Sequence, residues 1–447
     1  MSLIDLPGLG SNGEYRSRNP EVITDTSGTP VAKLSIAPPL YIARTMIGQR
    51  KVKPLPLDQR LDALGKAAEV FATSVAAGLD FESYVDLASR VSGLPVTVTR
   101  AQAHEVVNAL ASAFDSMRPA RPAGAVLDWR ETRAGCGVAV WSRRGAVFGV
   151  HASGNAPGIH GVWPQALALG YRVAVRPSRR EPFTAHRLVS ALREAGFRDD
   201  DVAYLPTDHR GADEIIRSAD LALVYGGSDV VAKYDGDPKV FVNGPGRTKI
   251  VITAEQDWRE YLDVIVDSVA RLGGMACVNA TAVLYEGDPA PLADAIAHRL
   301  SAAELLPTRS LDSARAMASF LASRAAGTIP VLGAGQVVVD LGGGLAALRP
   351  AVHLLREPDV DTLNTELAFP CVWVSPWSRA DWIAPLRDSL VVNAMTNDMG
   401  LIDDLLDEPT IANVYSGRVP TFFTATDLPH DGFLADFLMR TKGFVRD

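Results

Sequence analysis

Cysteine is nearly absent from this chain, with three among 447 residues, at positions 136, 277 and 371. None forms a Cys-x-x-Cys pair, which argues against a disulfide framework or a zinc site and suits a reducing compartment. No metal ligand set is expected. Long apolar runs are missing as well: nothing approaches the roughly 18 consecutive apolar residues of a membrane span. The opening MSLIDLPGLG has no basic stretch followed by an apolar one, so no secretory leader is expected there. Positive charge is not in excess. Acidic residues outnumber basic ones 52 to 44, a net charge of −8, which leaves no footprint for nucleic acid. These absences predict a soluble, cytoplasmic protein with neither a membrane nor a nucleic-acid partner.

The composition that remains, 47% hydrophobic and 21% charged, is that of an ordinary globular enzyme. A chain of this length exceeds one compact core, and two or three domains are expected. Residues 1–35 are rich in Gly, Pro, Ser and charge and read as an irregular lead-in. Gly8, Gly10 and Gly13 satisfy G-x-G-x-x-G, but that fingerprint requires a strand before it and a helix after it. Pro7 precedes it and the polar EYRSRNP follows, so it is rejected as a dinucleotide site. Amphipathic helices follow, one beginning near Pro56 with Leu61, Leu64, Ala67, Ala68 and Phe71 on one face, then Phe81–Val91 and Thr99–Met117. Leu127–Arg133 and Cys136–Ser142 flank Ala134-Gly135 and read as a β-hairpin.

From Ala146 short apolar runs alternate with helical segments, the pattern of βαβ units and a parallel sheet. Strands are expected at 146–150, 172–175, 202–205, 221–225, 240–242 and 249–253. A second α/β pattern runs from Trp258, with strands at 281–285, 336–340 and 371–375 and helices at 258–272, 290–304, 311–325, 379–389 and 400–406. The tail ends in PHDGFLADFLMRTKGF, partly apolar and expected to dock.

Open parallel sheets bind ligands beyond the C-terminal ends of their strands, so the residues after each strand carry the chemistry. HASGNAPG follows the first, and Asn155 there is either an oxyanion donor or a turn residue. Arg176-Pro-Ser-Arg-Arg180 follows the second, suited to a ribose or phosphate but equally to a solvated basic turn. Gly226-Gly227-Ser228 follows the strand ending at Tyr225, and Asn243-Gly-Pro-Gly-Arg247 follows Val242; each is also readable as a plain turn. Cys277 lies three residues after Gly273-Gly274, in a turn between a helix and the strand Thr281–Tyr285. By itself it is a small buried hydrophobe, the usual fate of a free cysteine.

The order of these modest features resembles the aldehyde dehydrogenase superfamily from about residue 40 onward. The resemblance implies the following roles. Asn155, near Pro157, matches the oxyanion-hole asparagine. Arg176-Pro177-Ser178 matches the Lys-Pro-Ser stretch that binds the adenosine ribose, with arginine for lysine. Gly227-Ser228 matches the turn over the pyrophosphate, Gly274 the glycine three before the nucleophile, and Cys277 the nucleophile. Glu366 and Pro370, in TELAFPC, match the glutamate that holds the nicotinamide ribose. Arg179, three after Arg176, stands where NAD-selective relatives often carry an acid, so NADP(H) acceptance is expected beside NAD(H).

One position departs. Hydrolytic members carry Glu-Leu-Gly-Gly-Lys, whose glutamate activates the deacylating water; here Asn243-Gly-Pro-Gly-Arg247 stands in its place. An amide does not titrate near neutral pH and cannot serve as that base. The form resembles the acylating branch and the fatty-acid reductase of bacterial luminescence systems. The expected reaction is therefore NAD(P)H-dependent reduction of an acyl thioester to an aldehyde through Cys277, with coenzyme A or an acyl carrier as donor and an activating ligase as possible partner. The alternative is oxidation of an aldehyde to a free acid, with another group positioning water. His151 and His160 are candidate proton shuttles, though core or capping roles suit both better.

The expected fold is α/β and aldehyde dehydrogenase-like. A Rossmann-type cofactor domain takes residues 1–125 and 146–247, and a catalytic domain 248–417. An oligomerisation arm combines 126–145 with 418–447. A homodimer or homotetramer is expected.

Overall fold

A computed structural model describes residues 3–131, 136–234, 236–303 and 306–447. Two seven-stranded sheets form its frame. The first runs Val240–Asn243, Leu221–Tyr225, Val147–His151, Arg172–Arg176, Val202–Tyr204, Gly8–Gly10, Gly13–Tyr15. Its first five strands are parallel and the last two antiparallel. The second runs Ile329–Leu332, Ala351–Leu354, Cys371–Pro376, Ala280–Tyr285, Thr248–Ile252, Ser389–Met395, Ile411–Ser416, parallel except at the Ile329 edge. The strands Val147–His151 and Ser389–Met395 are buried along their whole length. Such strands read as continuous apolar runs because helices cover both faces of a parallel sheet.

In the first sheet the chain moves from Val147–His151 outward through Arg172–Arg176 and Val202–Tyr204. It then returns to the other side of Val147–His151 with Leu221–Tyr225. The crevice beyond that reversal is where such sheets take ligands.

Three expectations are corrected. Residues 1–35 are not irregular: Ile4–Leu6, Glu21–Thr24 and Pro30–Leu34 form a small sheet, while Gly8–Gly10 and Gly13–Tyr15 close the edge of the first large sheet. Strands of three to five residues carry too little alternation to register in a sequence window. The same hairpin, with no helix after it, agrees with rejecting the glycine fingerprint.

The hairpin expected over 127–142 is likewise absent among the described residues; its turn, 134–135, lies outside them. Trp129–Glu131 is a single 3-10 turn, and Gly137–Arg143 pairs antiparallel with Met439–Val445 at the far end of the sequence. The alternation was real but its partner was distant. The helix expected over 379–389 is a 3-10 turn, Ala384–Leu386, followed by the strand Ser389–Met395. Trp382 and Asp388 adopt φ of 44° and 55°, outside the helical region.

The tail docks as expected. Leu434 and Leu438, on the short helix Leu434–Leu438, are buried in the core of the first sheet. Each contributes on the order of 2 kcal/mol, more than an exposed ion pair at about 0–1 kcal/mol, so apolar burial anchors this segment. No helix of the described residues is long and apolar enough to cross a membrane.

Candidate active site

The helix Leu262–Ala270 stops abruptly. Leu272, Gly273 and Gly274 follow with φ of 62°, 70° and 64°. A leucine in the left-handed region is sterically costly and persists only where its surroundings enforce it. Gly274 is required for a second reason: a Cβ there would lie 2.4 Å from the Pro370 nitrogen. The chain is thereby turned so that Cys277, half-buried, sits between the two sheets' strand ends.

Side chains from distant segments pin this turn. Asn279 accepts from the Ala276 N–H at 3.0 Å and donates to the Ser268 and Arg271 carbonyls at 3.0 and 2.6 Å. Thr248 donates to the Cys277 carbonyl at 2.9 Å, and Thr421 to that of Val278 at 2.6 Å. Gly246 packs on the same peptide, where an added Cβ would meet the Cys277 carbonyl oxygen at 2.0 Å. The Cys277 N–H makes no hydrogen bond among the described residues.

Asn155 reaches this turn from the first sheet. Ser153 donates to its Oδ1 at 2.5 Å, which points the Nδ2 group toward the loop, where it meets the Met275 carbonyl at 3.3 Å. A long, weak bond is readily exchanged for a developing oxyanion.

His430, from the tail, faces the sulfur with Nε2 at 3.3 Å from Cys277 Sγ. Its Nδ1 donates to Asp431 at 2.6 Å, and its carbonyl accepts from Asn413 at 2.6 Å. Burial would lower the His430 pKa, but the charge of Cys277 and the Asp431 carboxylate outweigh it and raise the pKa well above the ordinary histidine value. Sequence reading missed this residue. It lies 153 positions from Cys277, and a His-Asp pair in a loop has no local pattern that announces a catalytic role. Tyr225 was missed too; burial, with Asp431 and Cys277 nearby, raises its phenol pKa.

Asn243 is buried beside Tyr225, its register partner across the sheet, with Oδ1 unpartnered. His151 and His160 are core residues. His151 Nε2 meets the Ala212 carbonyl at 3.1 Å, and burial and Arg176 lower its pKa to about 4. His160 accepts from the Trp163 indole at 3.1 Å, and burial takes its pKa to about 3.

Of the residues expected to hold a dinucleotide, Arg176, Ser178 and Arg179 line one cavity, and Gly227, Ser228 and Glu366 do not. Ala152, Arg176, Ser178, Arg179, Arg180 and His209 surround an open cavity of about 470 Å³. Gly154 lies against Ser178, whose Oγ would be 2.4 Å from an added Cβ, and the Arg176 Nε is buried without a partner. These features fit a ribose and phosphate group. Arg179 pairs with Glu21 at 3.3 Å. Gly227 has open space beside it, and Ser228 Oγ accepts from Arg247 at 2.9 Å. Glu366 Oε1 accepts the Gly246 and Arg247 N–H groups at 3.1 and 3.0 Å, leaving the second carboxylate oxygen for a hydroxyl.

A sequence model described as "Aldehyde dehydrogenase family" matches residues 40–306. Among solved structures, lactaldehyde dehydrogenase from Escherichia coli is similar at a TM-score of 0.81 and 15% identity, covering 99% of each chain. An aldehyde dehydrogenase from Pseudomonas aeruginosa gives 0.82 and 13%, covering 99% of this chain and 97% of that one. The 1-pyrroline-5-carboxylate dehydrogenase from Thermus with bound NAD gives 0.79 and 17%, covering 99% and 93%. A curated relative, a mitochondrial methylmalonate-semialdehyde/malonate-semialdehyde dehydrogenase (acylating) of Caenorhabditis elegans, is 25% identical over 143 residues, covering 30% of this chain and 27% of its own length. The chain spans only about a quarter of the length of the curated relatives it matches.

Proposed function

The chain belongs to the aldehyde dehydrogenase family, and from that membership we propose that it oxidises an aldehyde to a carboxylic acid with NAD or NADP, through a thioester on Cys277. The observation that carries this reading is the Cys277 sulfur 3.3 Å from His430 Nε2, with the Asn155 amide on the same turn at the Met275 carbonyl.

Cys277 Sγ adds to the carbonyl carbon, and the oxygen becomes an oxyanion. The Asn155 Nδ2 group and the unpaired Cys277 N–H are the donors that stabilise it. A nicotinamide bound in the crevice would supply the acceptor for the hydride that leaves this carbon. Arg176, Ser178, Gly227, Ser228 and Glu366 hold the dinucleotide, and water then takes the acyl group from sulfur. The solved neighbours include enzymes named for aldehyde substrates, such as lactaldehyde, which favours oxidation over the thioester reduction expected from the sequence.

A second reading keeps the acylating chemistry: the Cys277 acyl group passes to coenzyme A or a carrier thiol, or arrives from one and is reduced, with an activating ligase upstream. Asn243 at the position of the missing glutamate favours it, as does the acylating activity named for the nematode relative. Incubation with aldehyde and NAD(P)⁺, with and without coenzyme A, separates the two. Free acid formed at full rate without thiol supports oxidation; no acid without thiol, with acyl-coenzyme A as the product once it is added, sinks it.

We also propose that residues 1–125 with 146–247 form the cofactor domain and 248–417 the catalytic domain. The segments 126–145 and 418–447 then form an arm that joins copies of the chain.

A further inference from the structure

We propose that His430, oriented by Asp431, is the general base that deprotonates the water hydrolysing the Cys277 thioester, replacing the carboxylate that Asn243 does not supply. This rests on the proposed oxidation to a free acid. Position comes first: Nε2 lies 3.3 Å from the sulfur, so a water held on it lies beside an acyl carbon bonded to that sulfur. The bond from Nδ1 to Asp431 at 2.6 Å fixes the ring so that Nε2 faces the reacting atom. Asn413 fixes the backbone, donating to the His430 carbonyl at 2.6 Å and the Leu390 carbonyl at 3.0 Å.

The other nearby groups are unsuited. The Asn243 amide does not titrate. The Tyr225 phenol is pushed up by burial, Glu366 accepts two backbone N–H groups, and His151 and His160 are engaged in the core.

The titratable groups facing the imidazole are Cys277 and Asp431, and Tyr225 lies near both of them. Cys277 and Asp431 both favour the protonated ring. Acylation blocks the sulfur and removes its share of that effect, so the ring gives up its proton more readily and accepts one from water. Water oxygen then attacks the thioester carbon, its proton passes to Nε2, and the C–S bond breaks. Sulfur leaves as thiolate beside the imidazolium. Carboxylic acid and the resting pair are the products, and water is the only co-reactant.

The test uses hydrolysis of p-nitrophenyl acetate without nucleotide, and separately aldehyde with NAD(P)⁺, on the wild type, His430→Gln and Asp431→Asn. Acylation and deacylation rates are resolved by stopped flow, and the acyl-enzyme by intact mass. In His430→Gln, deacylation is expected to fall at least about 100-fold, and further than acylation does. The acetyl adduct should then accumulate, and hydroxylamine, which needs no base, should release it. Asp431→Asn should slow deacylation less and shift its pH profile. An unchanged deacylation rate in His430→Gln overturns the proposal, as do equal losses in both steps, which reduce His430 to a partner of the thiol. If His430→Gln does not fold by circular dichroism, Asp431→Asn decides: wild-type deacylation with an unshifted profile overturns the proposal. A wild type that stalls as acyl-enzyme until coenzyme A is added removes the oxidation reading itself, a result the wild-type arm reports independently.

Discussion

Asn155 has no rigid role in the fold: its amide makes one long bond, to Met275 at 3.3 Å, while Ser153 fixes its direction. A donor held this loosely in the ground state gains most when an oxyanion forms. Asn155→Ala is therefore expected to lower kcat by about 100- to 1000-fold, on the order of 3–4 kcal/mol, with little change in melting temperature. A loss of stability without loss of kcat would make it a structural turn residue. At the proposed adenosine end, Arg179 is tied to Glu21 and both are partly exposed. Such a pair contributes little to stability, so the guanidinium is free to turn to a 2′-phosphate. Arg179→Glu is expected to lower kcat/KM for NADPH relative to NADH by about tenfold or more, since one charge contact contributes on the order of 1–3 kcal/mol. An unchanged ratio removes the argument.

Among elements, the loop that precedes the strand Thr248–Ile252 connects the proposed nucleophile and the sheet. An added Cβ on Gly246 would sit 2.0 Å from the Cys277 carbonyl oxygen and 2.6 Å from its Cα. These are backbone atoms that cannot rotate away. Gly246→Ala is expected to displace the nucleophile and cost about 100-fold in kcat, the scale of a 1 Å misplacement; wild-type kcat would show that the loop yields. Within the strand, Lys249 is buried, donating to the Arg247 and Arg387 carbonyls and to Ser389 Oγ. Burial, with Arg247 nearby, lowers its pKa from 10.5 to about 7. Between those two values the unfolded chain binds a proton that the folded chain has released, so this residue makes stability rise with pH across that window. Urea unfolding from pH 7 to pH 10 should show the rise in wild type and a smaller one in Lys249→Met; identical slopes would contradict it.

This scale also separates what could be read in advance. The βαβ strands from Ala146 onward were legible because buried parallel strands leave unbroken apolar runs, and the candidate ligand residues were sought just after them. Cys277 was legible as a candidate nucleophile only through the ordered resemblance, in which Gly274 stands three residues before it; alone it reads as a small buried hydrophobe. His430 was not, because it reaches the sulfur through tertiary contact alone, and Tyr225 was not, because only the fold brings it near Cys277 and Asp431. The pairing of Gly137–Arg143 with Met439–Val445 was hidden similarly: alternation marks a strand but does not identify its partner.

Considered whole, the molecule draws its site from both large sheets and from the tail, and the tail then runs from His430 through Leu434–Leu438 into the ribbon strand Met439–Val445. That ribbon has only two strands, and most of Met439–Val445 is exposed, with Val445 72% and Trp129 41% accessible. Two strands alone are marginal in water, and unpaired edges accept further strands. The ribbon is therefore expected to be covered by a second copy of the chain. Sedimentation should give a dimer or tetramer for the full chain and a monomer after removal of residues 439–447. Because the anchor formed by Leu434 and Leu438 precedes the cut, His430 should remain against Cys277, and the truncated protein should retain labelling of that thiol by iodoacetamide at near the full-length rate. A full-length chain that sediments only as monomer at micromolar concentration contradicts the assembly role. A truncated monomer that loses Cys277 labelling would instead mean that the ribbon, and not the buried helix, holds the histidine in place.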